Sequence, residues 1–258
     1  MAGTGIGGVL AEECAFLNPA PLAFFNTASV YAQQDSAVLT SNNINSSKKK
    51  SIGFVMSDGN PSLSGSLSYV NQNEDIYNRK RWGLSFSGPV SEMSAFGMSY
   101  RKTSDLDLLT NITKNYYQSV FGVTHVIDEK LTLGIVAYDP FKSQGHETKA
   151  IVGIQYSAMA YISAALDFGG DYNSQAITKT LFYRAALQIK ALDDFYIRFG
   201  GFNDKLRAEK GNGYGLAWIQ PRLSFELSLK NTTKSKDESL GTLEQDNRET
   251  SFSASMRF

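Results

Sequence analysis

The chain has 258 residues carrying 25 basic and 25 acidic side chains, so it has no formal net charge and no whole-molecule pull toward nucleic acid. Its length suits one large domain. No apolar run reaches the roughly 18 residues that a membrane helix needs, which excludes a helical membrane protein. A membrane β-barrel stays open, because its strands bury only alternate residues in lipid and average out as polar. Tyr and Phe together number 29, as expected of a barrel with aromatic girdles. The single cysteine, Cys14, rules out an intramolecular disulfide and reads as a small buried residue. No basic-then-apolar signal peptide opens the sequence, so an exported protein would be present here in a mature or trimmed form.

Residues 1–22 differ from everything after them. The start is glycine-rich, with Gly3, Gly5, Gly7 and Gly8, and residues 9–17 could form a short helix. Asn18-Pro19-Ala20-Pro21 then stops any helix, because proline lacks the N–H donor. A dinucleotide-binding loop would need a preceding strand and a βαβ unit, and the sequence provides neither.

From Phe24 onward the pattern predicts fourteen strands. They cover residues 24–33, 51–56, 62–71, 80–87, 93–102, 116–126, 130–138, 149–157, 160–168, 179–189, 194–202, 211–218, 222–231 and 248–258. Most come close to the roughly 9 to 11 residues that a tilted membrane strand requires. Trp82, Leu84 and Phe86 lie opposite Arg81, Gly83, Ser85 and Ser87. Leu131, Leu133 and Ile135 lie opposite Thr132 and Gly134, and Leu223, Phe225, Leu227 and Leu229 oppose Ser224, Glu226 and Ser228. Successive side chains of a strand point to opposite faces, so each segment has one apolar and one polar face.

A soluble sandwich would show the same period, but the connections separate the two readings. Those after even-numbered strands are short: 57–60, 88–91, 127–129, 158–159, 191–193 and 219–221. Those after odd-numbered strands are expected to be longer and polar, among them 34–50, 103–115, 139–148, 204–210 and 232–247. Such alternation puts all long loops at one end of an up-and-down meander, which Greek-key crossovers would not do. The expectation is an all-β fold: a 14-stranded antiparallel transmembrane barrel over residues 23–258, with 1–22 as a short N-terminal plug. An even strand count leaves both termini at one end, the periplasmic one. The last strand alternates Phe252, Ala254, Met256 and Phe258 against Ser251, Ser253, Ser255 and Arg257.

One stretch resembles a known family, and the chain's end resembles a wider class. The segment from Gly3 to Ala23, with Glu12 and Glu13 and then Asn18-Pro19-Ala20 leading into strand one, looks like the opening of the FadL-like outer-membrane transport family. That resemblance implies a fourteen-stranded barrel whose N-terminal segment plugs the lumen. It marks Glu12, Glu13, Asn18, Pro19 and Ala20 as the plug. Pro21 stands where the pattern commonly has glycine. The plug and the outer loops are short for a long-chain fatty-acid transporter. The terminal Phe258 resembles the closing residue by which outer-membrane barrels are recognised by the assembly machinery, and so marks that machinery as a partner.

On the polar parity the lumen is lined by small residues, including Gly53, Ser64, Ser66, Gly83, Ser85, Gly97, Gly122, Gly134, Gly153, Gly213 and Gly215. Among them stand the charges Arg81, Arg101, Asp167, Arg184, Arg198, Arg222 and Glu226. One reading pairs these charges into a network that fills the barrel; the other makes them a polar or amphipathic passage. Glu12 or Glu13 is expected to pair with a lumen arginine, Arg184 or Arg198 first, while Asn18 turns the chain. Trp82, Tyr100, Tyr117, Tyr138, Phe168 and Trp218 are candidates for the interfacial girdles. His125 and His146 have no metal-ligand spacing around them, so neither a metal, a cofactor nor a catalytic site is expected. Two functions compete: a passive channel for small hydrophobic or amphipathic molecules, and a non-transporting barrel that self-associates and organises lipid.

Overall fold

The structure, a computed structural model, describes residues 5–8, 15–41, 45–143, 148–159, 161–235 and 245–258. It contains β1 (Ser29–Ser41), β2 (Asn45–Ser57), β3 (Ser64–Asn73), β4 (Tyr77–Ser91), β5 (Ser94–Asp107), β6 (Ile112–Val126) and β7 (Leu131–Tyr138). The second half contributes β8 (Lys149–Met159), β9 (Ile162–Gly170), β10 (Phe182–Lys190), β11 (Phe195–Asp204), β12 (Glu209–Ile219), β13 (Leu223–Lys234) and β14 (Gln245–Arg257). Each strand pairs antiparallel with its neighbours in sequence, and β14 returns to β1, so the fourteen strands form a closed barrel. Closure leaves no unpaired edge along the seam: the β1–β14 ladder runs from Ser29 opposite Arg257 to Ser41 opposite Gln245.

Alternation decides which side each residue takes. Ile52, Phe54, Trp82, Leu84, Phe86, Leu216, Leu227 and Phe252 point outward and are exposed, while Ser66, Ser85, Ser99, Thr124 and Ser253 point inward and are buried. An exposed apolar exterior around a polar interior is the reverse of a soluble fold, and it is the arrangement that hydrocarbon solvates.

The strands outrun their hydrophobic pattern. The stretch 34–50, expected as a loop, is almost all strand: β1 and β2 pair as far as Ser41 opposite Asn45. Likewise β5 and β6 pair as far as Asp107 opposite Ile112, and β11 and β12 as far as Asp204 opposite Glu209. The expected contrast between long and short connections is therefore muted at these hairpins. Alternation marks only the apolar band. Beyond it both faces are polar, yet backbone N–H and C=O groups still pair best by extending the ladder. Longer connections persist after β7 and β9; after β7, Asp139, in the left-handed region at φ 51°, turns the chain off the sheet. Along all fourteen pairs the register shifts only at Pro89/Ser91 and at Ser157/Met159. β1 begins and β14 ends at the same end, the one with the short turns.

Candidate functional site

The lumen is occupied by the chain's own N-terminus. Gly5–Gly8 forms a tight turn, with the Gly8 N–H donating to the Gly5 carbonyl at 3.0 Å. Ala15 to Phe16 is a second turn, and Ala20–Phe24 is a 3-10 helix with Pro21 in its first turn. Glu12, Glu13 and Cys14 lie outside the described residues, as do most of the expected helix at 9–17 and His146.

Asn18 joins these pieces. It is 1% exposed, and its amide is used on both sides. The Nδ2 group donates to the Ile6 carbonyl at 3.0 Å and to Thr124 Oγ1 on β6 at 2.9 Å. Its Oδ1 accepts from the Ala20 N–H at 3.1 Å, which turns the chain toward Pro21. One buried side chain thus ties the first turn, the second segment and the wall together.

The wall receives this segment through its backbone. Asp167 of β9 is buried, and its Oδ2 accepts from the N–H groups of Gly5 at 2.9 Å and Ile6 at 3.4 Å. Arg101 of β5 donates to the Phe16 carbonyl at 3.0 Å. The Tyr138 hydroxyl donates to the Leu17 carbonyl at 2.6 Å. Ser87 donates to the Ala20 carbonyl at 2.6 Å. The expected pairing of Glu12 or Glu13 with a lumen arginine lies outside the described residues; at the described contacts a lumen acid takes plug N–H groups and a lumen arginine serves a plug carbonyl.

Close approach needs missing side chains. Gly97, Gly122, Gly134 and Gly153 face inward from the consecutive strands β5 to β8, with Gly97 opposite Gly122 and Gly134 opposite Gly153. A methyl group on Gly97 would fall 2.5 Å from the Pro19 carbonyl carbon, and one on Gly153 would fall 2.5 Å from the Gly7 nitrogen. On Gly122 or Gly134 it would overlap Asn18 Oδ1 or the Ile6 carbonyl oxygen outright. The plug backbone therefore lies in a glycine track across four strands. These glycines were legible as small lumen residues, but not as a seat. Around the seat, Ile6, Val120, Val136, Ile151 and Phe182 form a buried apolar cluster, with Leu17 and Tyr138 packed on it.

The other expected site residues divide. Arg198 is buried and pairs with Glu226 of β13, and its Nε also donates to Gln188 at 2.8 Å. Arg184 stands opposite Asp167 in the β9–β10 register, with its guanidinium 5.0 Å from the Phe182 ring. Arg81 donates to Thr103 at 3.0 Å. Arg222 is exposed in the turn before β13, not in the lumen, because the ladder has already ended there. Trp82, Tyr100, Tyr117 and Phe168 point outward and are exposed, and Trp218 stacks on outward-facing Phe225 at 5.8 Å. Tyr138 does not join them: it shares the parity of Gly134 and Val136 and faces the plug. Phe258 is exposed, and its N–H donates to the Ala28 carbonyl at 2.9 Å.

Above the plug, toward the long-loop end, lies a cavity of about 130 Å³. Its floor includes Arg101 and Tyr138, which hold the Phe16 and Leu17 carbonyls. Near its rim Arg79 grips Asp105 with two bonds of 2.8 and 3.0 Å. Among the described residues no group of three His, Cys, Asp or Glu side chains could hold a metal ion. Ser94 Oγ and His125 Nδ1 lie 2.8 Å apart near the short-turn end.

No family model matches the chain, and no curated protein matches it. Solved structures do. The CymD monoaromatic hydrocarbon channel aligns over 98% of this chain and 96% of its own, with a TM-score of 0.76 and 12% identity. The toluene transporter TbuX of Ralstonia pickettii aligns over 100% and 96%, with a TM-score of 0.73 and 10% identity. A FadL homologue of Pseudomonas aeruginosa aligns over 100% and 97%, with a TM-score of 0.62 and 14% identity. The fold is FadL-like. At these identities the likeness concerns architecture, so the work done by this FadL-like barrel has to be argued from its own lumen.

Proposed function

We propose that the chain is a bacterial outer-membrane channel for small hydrophobic or amphipathic molecules, with residues 1–22 as its plug and 23–258 as its barrel. The observation that carries this reading is a separate stretch of backbone seated inside the lumen on a glycine track. A barrel meant only as a wall needs no such seat, because its own side chains can fill it. The neighbours named as hydrocarbon and toluene channels support the same reading through the shared fold. The continuous strand pairing favours passage along the barrel axis, past the plug. In this reading the short-turn end and both termini face the periplasm. Trp82, Tyr100, Tyr117, Phe168 and Trp218 serve as girdle, and the strand ending in Phe258 meets the assembly machinery. The role is transport and not catalysis.

The alternative, a structural barrel that self-associates, draws on the Arg198–Glu226 pair, which shows that part of the lumen is filled by wall side chains. Deleting residues 2–21 separates the two. The channel reading expects an assembled, heat-modifiable barrel with several-fold greater dye uptake and raised conductance. A truncated barrel as tight as the intact one would hand the argument to the structural role.

A further inference from the structure

Along β2 to β5 the outward face changes character at one level. The apolar band ends there on Ile52, Tyr69, Trp82 and Tyr100, with Tyr69 against Trp82 at 4.5 Å and Tyr100 stacked on Tyr117 of β6 at 5.5 Å. The next outward residue toward the long-loop end is Lys50 on β2, Asn71 on β3, Lys80 on β4 and Lys102 on β5, and Lys48 follows Lys50. All four lysines are exposed. Register puts them on the lipid side: Lys80 stands opposite Asn71, and Lys102 stands opposite Trp82 and Tyr117. On β11 to β14 the corresponding positions, beyond Phe199, Tyr214, Leu229 and Phe252, hold Gly201, Asn212, Asn231 and Thr250. Lys210 and Arg248 come only one step farther out. At the edge of the apolar band the positive charge therefore gathers on the arc from β2 to β5.

That edge is where hydrocarbon gives way to headgroups. Aromatic rings mark it, and a lysine just past them lays its apolar stem along the acyl boundary while its ammonium reaches the headgroup layer. The described carboxylates nearby have other contacts: Glu74 pairs with Lys49 at 2.8 Å, Asp75 accepts from the Lys48 backbone N–H at 3.3 Å, and Asp105 holds Arg79. The step from β2 to β5 is three strand spacings of roughly 4.8 Å each, wider than a single phosphate. Lysine meets phosphate as a compact charge, and anionic lipid surfaces attract such clusters. We propose that this face docks a multiply phosphorylated glycolipid of the outer leaflet, with its phosphates on Lys50, Lys80 and Lys102 and its acyl chains along Ile52, Tyr69 and Trp82. This rests on the orientation given above, with the long-loop end outside, and not on passage through the lumen.

Diphosphoryl lipid A, monophosphoryl lipid A and inorganic pyrophosphate test the idea on the purified intact barrel in a neutral detergent. The diphosphoryl lipid should bind at least tenfold tighter than the monophosphoryl one, should weaken as salt rises, and should resist displacement by pyrophosphate. The variant Lys50→Gln/Lys80→Gln/Lys102→Gln should lose at least tenfold in that binding with heat-modifiable migration retained. Lys130→Gln/Lys190→Gln/Arg222→Gln, which removes the same charge at the short-turn end, should leave it unchanged. The comparison of the two lipids on the unaltered chain needs no variant and so guards against a misfolded one. Equal binding of the two lipids, or equal weakening in the two variants, would overturn the proposal, and ready displacement by pyrophosphate would leave a phosphate site with no lipid specificity and overturn it too. Leu109, exposed in the β5–β6 turn, checks the orientation separately. In whole cells Leu109→Cys should react with a membrane-impermeant maleimide above the level of the parent chain. If it does not, the orientation reading fails and takes the outer-leaflet assignment with it, whatever the lipids do in detergent.

Discussion

Two parts of the lumen wall solve the problem of a polar interior in different ways. On β5 to β9 the wall withholds side chains. Gly97, Gly122, Gly134 and Gly153 leave a track, and Asp167 and Thr124 meet plug atoms laid along it. On β10 to β14 the wall fills itself. Arg198 reaches Glu226 and Gln188, and Ser224 meets Ser255 at 2.6 Å. A surface that satisfies its own polar groups has no need of a guest, whereas one with buried acceptors and bare backbone is incomplete without one. The difference teaches that the plug belongs to one side of the barrel, and that the two walls should answer to mutation in different currencies: leak on one, stability on the other.

The sharpest test makes the same substitution on both walls. Gly122→Ala with Gly134→Ala puts methyl groups where Asn18 Oδ1 and the Ile6 carbonyl now sit. The strands can keep their ladder, so the plug must move. Dye uptake should rise several-fold, toward that of the plug deletion, with heat-modifiable migration retained. Gly215→Ala on β12 meets its nearest atoms at 3.6 Å, an ordinary contact, and should leave uptake as it was. Equal leak from both variants would erase the distinction between the walls.

The sequence reveals the faces of the strands far better than what meets between them. Period-two alternation places Leu84 outside and Ser85 inside without any tertiary knowledge, because the pleat imposes it. It also says where Tyr138 points: Leu131, Leu133 and Ile135 face out, so position 138 faces in, and its place near a strand end is a weaker cue than its parity. Strand ends were less legible because polar residues on both faces look like loop, although the backbone goes on pairing. The glycine track is hidden for a different reason. Gly122 and Gly134 are visible one at a time, but only the register across neighbouring strands sets them in line. Arg222 shares the parity of Ser224, yet lies beyond the ladder where parity no longer counts.

Removing one carboxylate from each wall comes next in size. Glu226→Ala leaves the buried Arg198 without its ion-pair partner, and breaking such a pair costs about 3 kcal/mol. The cost falls on β11 and β13, so the unfolding midpoint in detergent should drop while uptake stays low. Asp167→Ala instead withdraws the acceptor from the Gly5 and Ile6 N–H groups, at about 1–3 kcal/mol for buried groups left unmet. That cost falls on plug docking, so uptake should rise with little change in the midpoint. Interchanged outcomes would show that the plug holds the barrel together and that the ion pair acts as the gate.

The smallest effect expected is at Tyr138. Its hydroxyl donates to the Leu17 carbonyl at 2.6 Å, while its ring packs on the apolar cluster around Ile6. Tyr138→Phe keeps the ring and removes one donor. A single neutral hydrogen bond contributes about 1 kcal/mol net, which corresponds to roughly a fivefold change in the docked-to-undocked ratio of the plug. Asn18, Asp167 and Arg101 still hold the segment, so the docked state should remain dominant and bulk dye uptake should barely move. The change should appear in a finer measurement: amide hydrogen exchange at Ile6 to Gly8 should speed up about fivefold in the variant, with the exchange of β11 and β13 amides unaltered. If the strand amides accelerate equally, Tyr138 supports the whole barrel, and the separation between a wall that receives the plug and a wall that completes itself would be wrong at the point where the two were most cleanly divided.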